Sequence, residues 1–220
     1  MIKCRVVFEK TGRAKYISHL DIMRTMQRVF IRAGVKIKHT EGYNPHPYMA
    51  FALPLSVGTE SDCELMDFTL VSGAKLEELP ELLTENAPEG ITVLEAYEEE
   101  VKLKHLKWLK VGIELIYDAG VPETAALELK ALYSAEKLEV EKTSKGKTKT
   151  VDIIPMIDSI AFERRDINVL YCTAVISAQE PSLSPSVLLS AIDAYKPDLR
   201  PDFTRVRRLE IYDEERNIFR

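Results

Sequence analysis

The chain has 220 residues, 45% hydrophobic and 30% charged, with a formal net charge of −5. That length accommodates one large domain or two small ones with real cores, and the balance of residue types excludes wholesale disorder. No apolar run approaches the roughly 18 residues that a membrane-spanning helix needs, so no membrane partner is expected.

The net charge conceals an asymmetry. Residues 1–60 carry ten Lys/Arg against four Asp/Glu, whereas residues 61–101 carry one lysine, Lys75, against twelve Asp/Glu. Binding follows the local field and not the sum, so a mildly acidic chain can still hold a basic interface. The acidic block reads as a solvated helix face and strand ends.

The opening residues, Met1 to Glu9, alternate polar and apolar and lack a signal-peptide hydrophobic region; they predict a strand with Ile2, Cys4, Val6 and Phe8 on one face. A polar loop follows from Lys10 to Lys15. A helix is predicted from Ser18, where Ser18 and Asp21 form a capping-box pattern, with Leu20, Met23, Met26 or Gln27, Phe30 and Ala33 as its apolar face and Gly34 as its stop. Residues 35–39 alternate as a strand, and residues 41–48 form a turn-rich loop stiffened by Pro45 and Pro47. Residues 50–55, 63–71 and 91–96 read as strands, with a helix over 76–86.

The second half repeats this grammar: a strand over 109–117, a helix over 122–134, strands over 138–141 and 149–154 flanking a turn at 144–147, a strand over 167–177, a helix from Ser184 to Tyr195 and a strand over 204–212. Two successive β-α-β-β-α-β passes predict an α+β protein made of duplicated ferredoxin-like halves with antiparallel sheets. The boundary is placed by the charge switch from Glu98-Glu99-Glu100 to Lys102, Lys104 and Lys107, giving domains over 1–103 and 104–220. Cys4, Cys63 and Cys172 are far apart and lie in strand-like patterns; they read as buried free thiols of a soluble, cytoplasmic protein.

The first sixty residues hold the chemistry. Arg24, Arg28 and Arg32 recur at i, i+4 and i+8 and so form a stripe on one helix face. Guanidinium groups favour bidentate contact with phosphate or carboxylate. Lys10, Arg13, Lys15, Lys36 and Lys38 add charge from flanking segments. The stiff loop presents Tyr43, His46 and Tyr48, and rigid aromatics beside cations suit base stacking with phosphate pairing. Candidate nucleic-acid-binding residues are therefore Arg13, Lys15, Arg24, Arg28, Arg32, Lys36, Lys38, Tyr43 and His46. His19, Asp21 and His46 are the candidates if the protein is an enzyme, but no spacing marks a catalytic pair and the reading leans against catalysis. No C-x-x-C, H-E-x-x-H, Walker or dinucleotide glycine motif occurs, so no metal site and no cofactor is expected.

Tyr16-Ile17-Ser18-His19-Leu20-Asp21, Arg24, Arg28, Arg32-Ala33 and Gly42-Tyr43-Asn44-Pro45-His46-Pro47 resemble the opening signature of the radical SAM-linked protein family. Residues 51–61, Glu64 and Asp67 continue the likeness; in the second half Val151-Asp152-Ile153-Ile154-Pro155 and Arg207-Arg208 carry a thinner one. The resemblance implies a domain of unknown function, found fused to a radical SAM protein or encoded beside one, often near genes for a ribonuclease and ribosomal proteins. This chain has no C-x-x-x-C-x-x-C run for an iron–sulfur cluster, so the resemblance makes it the companion of a separate radical SAM enzyme.

Three readings follow. The leading one is a non-catalytic accessory module that binds tRNA or rRNA through the basic N-terminal face. The second is a protein-interaction subunit that docks the radical SAM partner without nucleic acid. The third is an uncharacterised enzyme using His19, Asp21 and His46. A homodimer in which the acidic block covers the basic face is a further possibility.

Overall fold

The computed structural model describes residues 1–144 and 146–220, and divides into two compact units, Met1–His105 with Arg220, and Leu106–Phe219. Both are α+β with antiparallel strand pairing.

In the first unit β1 (Ile2–Lys10) is central, with β4 (Glu60–Ser72) on one side and β5 (Ile91–Glu98) on the other. Beyond β4 lie two short strands, β2 (Lys36–Ile37) and β3 (Met49–Phe51), which pair with successive stretches of β4. Alternation along β1 sends Cys4, Val6 and Phe8 to one face, where they join Met66, Phe68 and Leu70 of β4. Two helices close this core: α1 (His19–Arg32), capped by Ser18 accepting from the Asp21 amide at 3.2 Å, and α2 (Leu79–Glu85). Leu79 and Leu83 of α2 are fully buried, and Phe30 of α1 packs on Phe68 with ring centroids 4.8 Å apart.

The helical face differs from the predicted one. Ile22, Met26, Val29 and Phe30 are buried, whereas Leu20 is exposed. Positions 22, 26, 29 and 30 make a tighter 3.6-residue stripe than the set beginning at Leu20. Leu20 therefore lies on the outer side of α1 with Arg24 and Arg28, its i+4 and i+8 neighbours.

In the second unit β6 (Trp108–Ile116) is central, flanked by β11 (Phe203–Tyr212) and β10 (Val169–Ser177), with β9 (Ile157–Arg164) outside β10. β7 (Glu139–Ser144) and β8 (Lys147–Asp152) pair separately as a hairpin; Lys145 of the predicted turn lies outside the described residues. α3 (Ala125–Tyr133) and α4 (Pro185–Tyr195) supply Leu129, Tyr133, Leu188 and Ile192 to the core, and Tyr133 stacks on Phe162 of β9 at 5.8 Å. The sequence pattern does not predict β9. It is an edge strand whose side chains are mostly half-buried or exposed, so Ile157-Asp158-Ser159-Ile160-Ala161 lacks a clean two-residue alternation.

All three cysteines are buried and free. Burial pushes the Cys172 thiol up to about 12, so it is an inert core residue at neutral pH. No helix among the described residues is long and apolar enough to cross a membrane.

Candidate functional site

β2 and β3 run alongside β4 as one interrupted strand. The Lys38 amide bonds the Thr69 carbonyl at 2.8 Å, and Met49 already faces Phe68, so residues 39–47 are extruded from the sheet edge between them. The excursion is a small hairpin. Tyr48 N–H donates to Lys38 O at 2.8 Å and Thr40 N–H to His46 O at 2.9 Å, with a bridge between His39 and Pro47. His46 is fixed inside it, its Nδ1 3.1 Å from Thr40 Oγ1 and 3.2 Å from Asn44 O. Tyr43 stands at the tip with its whole side chain in water.

The start of α1 is stitched just as firmly. The polar loop is a 3₁₀ turn over Gly12–Tyr16, and Lys10 at the end of β1 is turned inward. Its ammonium donates to Ile17 O at 2.8 Å and Lys15 O at 3.3 Å. The Gly58 amide reaches Lys15 O at 2.9 Å, and Lys15 Nζ meets Glu60 Oε1 at 3.4 Å. His19 packs edge-on against Phe51, and Phe51 edge-on against Phe8, at 5.6 and 6.2 Å between centroids. The segments 16–21 and 51–61 thus meet at one end of α1 although some thirty residues separate them.

The candidate residues divide by what they touch. Arg24, Arg28 and Arg32 project outward from α1. Arg24 meets Asp21 at 3.4 Å, an exposed i,i+3 pair of little energetic value. Arg32 donates through Nε and a terminal nitrogen to Asn86 O, at the end of α2. Arg28 has no acidic partner among the described residues. Arg13 is exposed, and Lys15 is half-buried against Glu60 and the Tyr16 ring. Lys36 and Lys38 flank Ile37, whose side chain enters the core beneath α1; alternation turns the two lysines to the opposite side of the sheet edge. They lie at the base of the hairpin and do not extend the arginine stripe. No hydrogen bond or ring contact joins His19, Asp21 and His46 to one another among the described residues: His19 is against Phe51, Asp21 accepts from Ser18 and Arg24, and His46 is bonded within its hairpin.

The acidic block does not form one anionic surface. Glu64 and Asp67 are buried, and Glu78 caps the turn before α2 by accepting from the Lys75 amide at 3.0 Å. Asp67 belongs to a polar row that the sequence did not announce. Arg5 of β1, fully buried, sits directly between Tyr97 of β5 and Asp67 of β4. Its guanidinium grips Asp67 bidentately at 2.6 and 2.9 Å and donates to Val101 O at 2.7 Å. Burial opposes the Arg5 charge, but the Asp67 hydrogen bonds and charge outweigh it and hold the group above its ordinary range. Burial pushes the Tyr97 phenol up to about 12, against the pull of Arg5 and Arg220. The only signal in the sequence was a charged residue, Arg5, inside the predicted opening strand.

This chain belongs to the family described as "Uncharacterized protein conserved in bacteria (DUF2344)", whose model matches residues 3–185. No curated protein matches it. Its structure is similar to a chain in the crystal structure of a Cbf5-Nop10-Gar1 complex, with a TM-score of 0.51 and 8% sequence identity, over 96% of this chain and 50% of that one. This chain thus spans half the length of that neighbour, and at such identity the likeness is one of fold. A crystal structure of an unknown protein from Galdieria sulphuraria also matches, with a TM-score of 0.27 and 9% identity over 94% of this chain and 96% of that one.

Proposed function

We propose that this DUF2344 protein is a cytoplasmic, non-catalytic accessory module that binds tRNA or rRNA through the first unit and acts beside a separate radical SAM enzyme. The observation that carries the RNA reading is the outer face of α1: three arginines leave it for solvent, and one exposed carboxylate, Asp21, is the only acidic group they contact among the described residues. Like charges at i,i+4 weaken a helix by a few tenths of a kcal/mol per pair, a cost that a polyanion offsets. The extruded hairpin supplies the second element, an exposed Tyr43 held on a proline-stiffened tip, as base stacking requires. The radical SAM partner is supported by the resemblance of segments 16–21, 42–47 and 51–61 to the radical SAM-linked signature, segments that gather around α1 and its neighbouring hairpin. The two units are read as ferredoxin-like halves. In each, the first strand is central and the last and a later strand flank it; outside that later strand lie β2 and β3 in the first unit and β9 in the second.

Tyr43→Ala tests the aromatic element. Loss of one stacked base costs about 1–3 kcal/mol. Affinity for an unstructured pyrimidine oligoribonucleotide, read by fluorescence anisotropy, therefore falls at least about fivefold, while the urea midpoint stays unchanged because Tyr43 contributes nothing to the core. Equal affinity for both proteins removes Tyr43 from the interface.

One observation favours a protein partner at the same face. Leu20 and Ile31 are exposed on α1 among the arginines, and Tyr16 and Val57 are exposed near its start. Exposed apolar and aromatic side chains interleaved with arginine are the composition of protein-binding hot spots. Retention of the radical SAM protein on this chain after exhaustive nuclease treatment, together with no RNA affinity, would replace the RNA reading by this one.

A further inference from the structure

The helices α3 and α4 cover one face of the second unit's sheet. The other face carries Lys110 of β6, Thr173 and Val175 of β10, and Ser159 and Ala161 of β9, set side by side by the register Lys110–Val175–Ser159 and Thr173–Ala161. These side chains line a groove of about 480 Å³, bounded by Tyr212, Ile160, Asp158 and Arg216. That volume falls within the range of small-ligand sites, roughly 300–1,000 Å³.

Three of the groove's donors stand without acceptors. Among the described residues, the Lys110 ammonium has no hydrogen bond or ion pair, and the hydroxyls of Ser159 and Thr173 are likewise unengaged. Lys110 lies directly across the ladder from Glu210, yet Glu210 Oε1 accepts from the Ile211 amide at 2.9 Å and the two side chains do not pair. The lining contains a single carboxylate, Asp158, and Arg216 neutralises it by direct pairing. Arg216 itself sits over Trp108, its guanidinium carbon 3.8 Å from the centroid of the ring. A free ammonium, two free hydroxyls and a neutralised carboxylate in one trough suit an anion with several acceptor oxygens. Val175 and the Tyr212 ring suit a flat apolar body attached to it.

We infer that this open sheet face is a second binding site, for a nucleotide-sized organic phosphate whose phosphoryl oxygens accept from Lys110, Ser159 and Thr173. The ligand is a free nucleotide or one residue of an RNA strand; the phosphate chemistry is shared. The site lies wholly within the second unit and uses no residue of α1.

Trp108 is the only tryptophan in the chain and lies under Arg216 at the groove's edge, so its emission reports occupancy. The full chain is titrated with uridine 5′-monophosphate and, in a second arm, with a short oligouridylate, each on the wild type, Lys110→Met, Lys110→Arg and an Arg24→Glu/Arg28→Glu control. A saturable change is expected that weakens at least about tenfold in Lys110→Met, the worth of one charge-assisted hydrogen bond, recovers in Lys110→Arg and is unaltered in the mononucleotide arm by the α1 control. A response to both ligands assigns a free nucleotide; a Lys110-dependent response to the oligouridylate alone assigns an RNA strand. No saturable change in either arm, or one that Lys110→Met leaves intact, overturns the site. Lys110 is half-buried on the outer face, so Lys110→Met is expected to fold, which far-ultraviolet circular dichroism checks.

Discussion

Replacing Arg24 and Arg28 together by Glu is expected to lower affinity for a transfer RNA about a hundredfold at 0.1 M salt, and to leave stability within about 0.5 kcal/mol of the parent. The magnitude follows from simple electrostatics. The change removes two attractions to phosphate and introduces two repulsions, each on the order of 1 kcal/mol at an exposed site before screening. The fold is indifferent because both side chains point to water, and the ion pair that the change breaks, Arg24 with Asp21, is exposed and weak. Filter binding for affinity and urea unfolding for stability separate the two effects. Unchanged affinity in a folded double variant would take the α1 stripe out of RNA recognition.

The opposite pattern is expected at Arg5. Arg5→Met leaves Asp67 buried with no guanidinium to answer its charge and removes the donor from Val101 O. Breaking a buried pair from one side costs about 3–5 kcal/mol, a large share of the roughly 5–15 kcal/mol that holds a typical domain together. Urea denaturation of the first unit should register that loss. The double change Arg5→Met/Asp67→Leu should regain much of it, because a matched apolar pair carries no stranded charge. A single variant as stable as the parent would mean that solvent reaches Asp67.

The regular elements with strong periodicity were legible in the sequence. The alternation of Ile2, Cys4, Val6 and Phe8, the Ser18 cap and the Ser184-Pro185 start of α4 each have a local physical cause, and each element formed where that cause acts. Elements set by tertiary context were not. β9 is an edge strand with no fully buried residue to impose a clear alternation. The strand expected over 50–55 stops at Phe51, because Pro54 has no amide to give the ladder and the chain turns back toward Lys15. Lys10 looked like one more cation of a polar loop, yet it ends β1 with its ammonium on two main-chain carbonyls.

The candidate site was legible in part for the same reason. The i, i+4, i+8 arginine spacing is a local property of a helix, and it produced one outward stripe. Which neighbours share that face depends on the sheet, and nothing local foretold that Ile37 would turn Lys36 and Lys38 to the other side. The groove around Lys110 assembles side chains from β6, β9, β10 and β11, so no single segment could have announced it. Arg5 and Asp67 are 62 positions apart and meet only through strand register.

The central claim, that the first unit binds RNA through exposed cations, is tested most directly by the salt dependence of the wild-type protein's affinity for an oligoribonucleotide. Three phosphate contacts on a single strand release counterions to give a slope of about −2 in log K against log salt concentration. A slope near that value, made shallower by about 0.7 when Arg28 alone is replaced by Ala, is the predicted result. An affinity that stays flat from about 50 to 200 mM salt would contradict it.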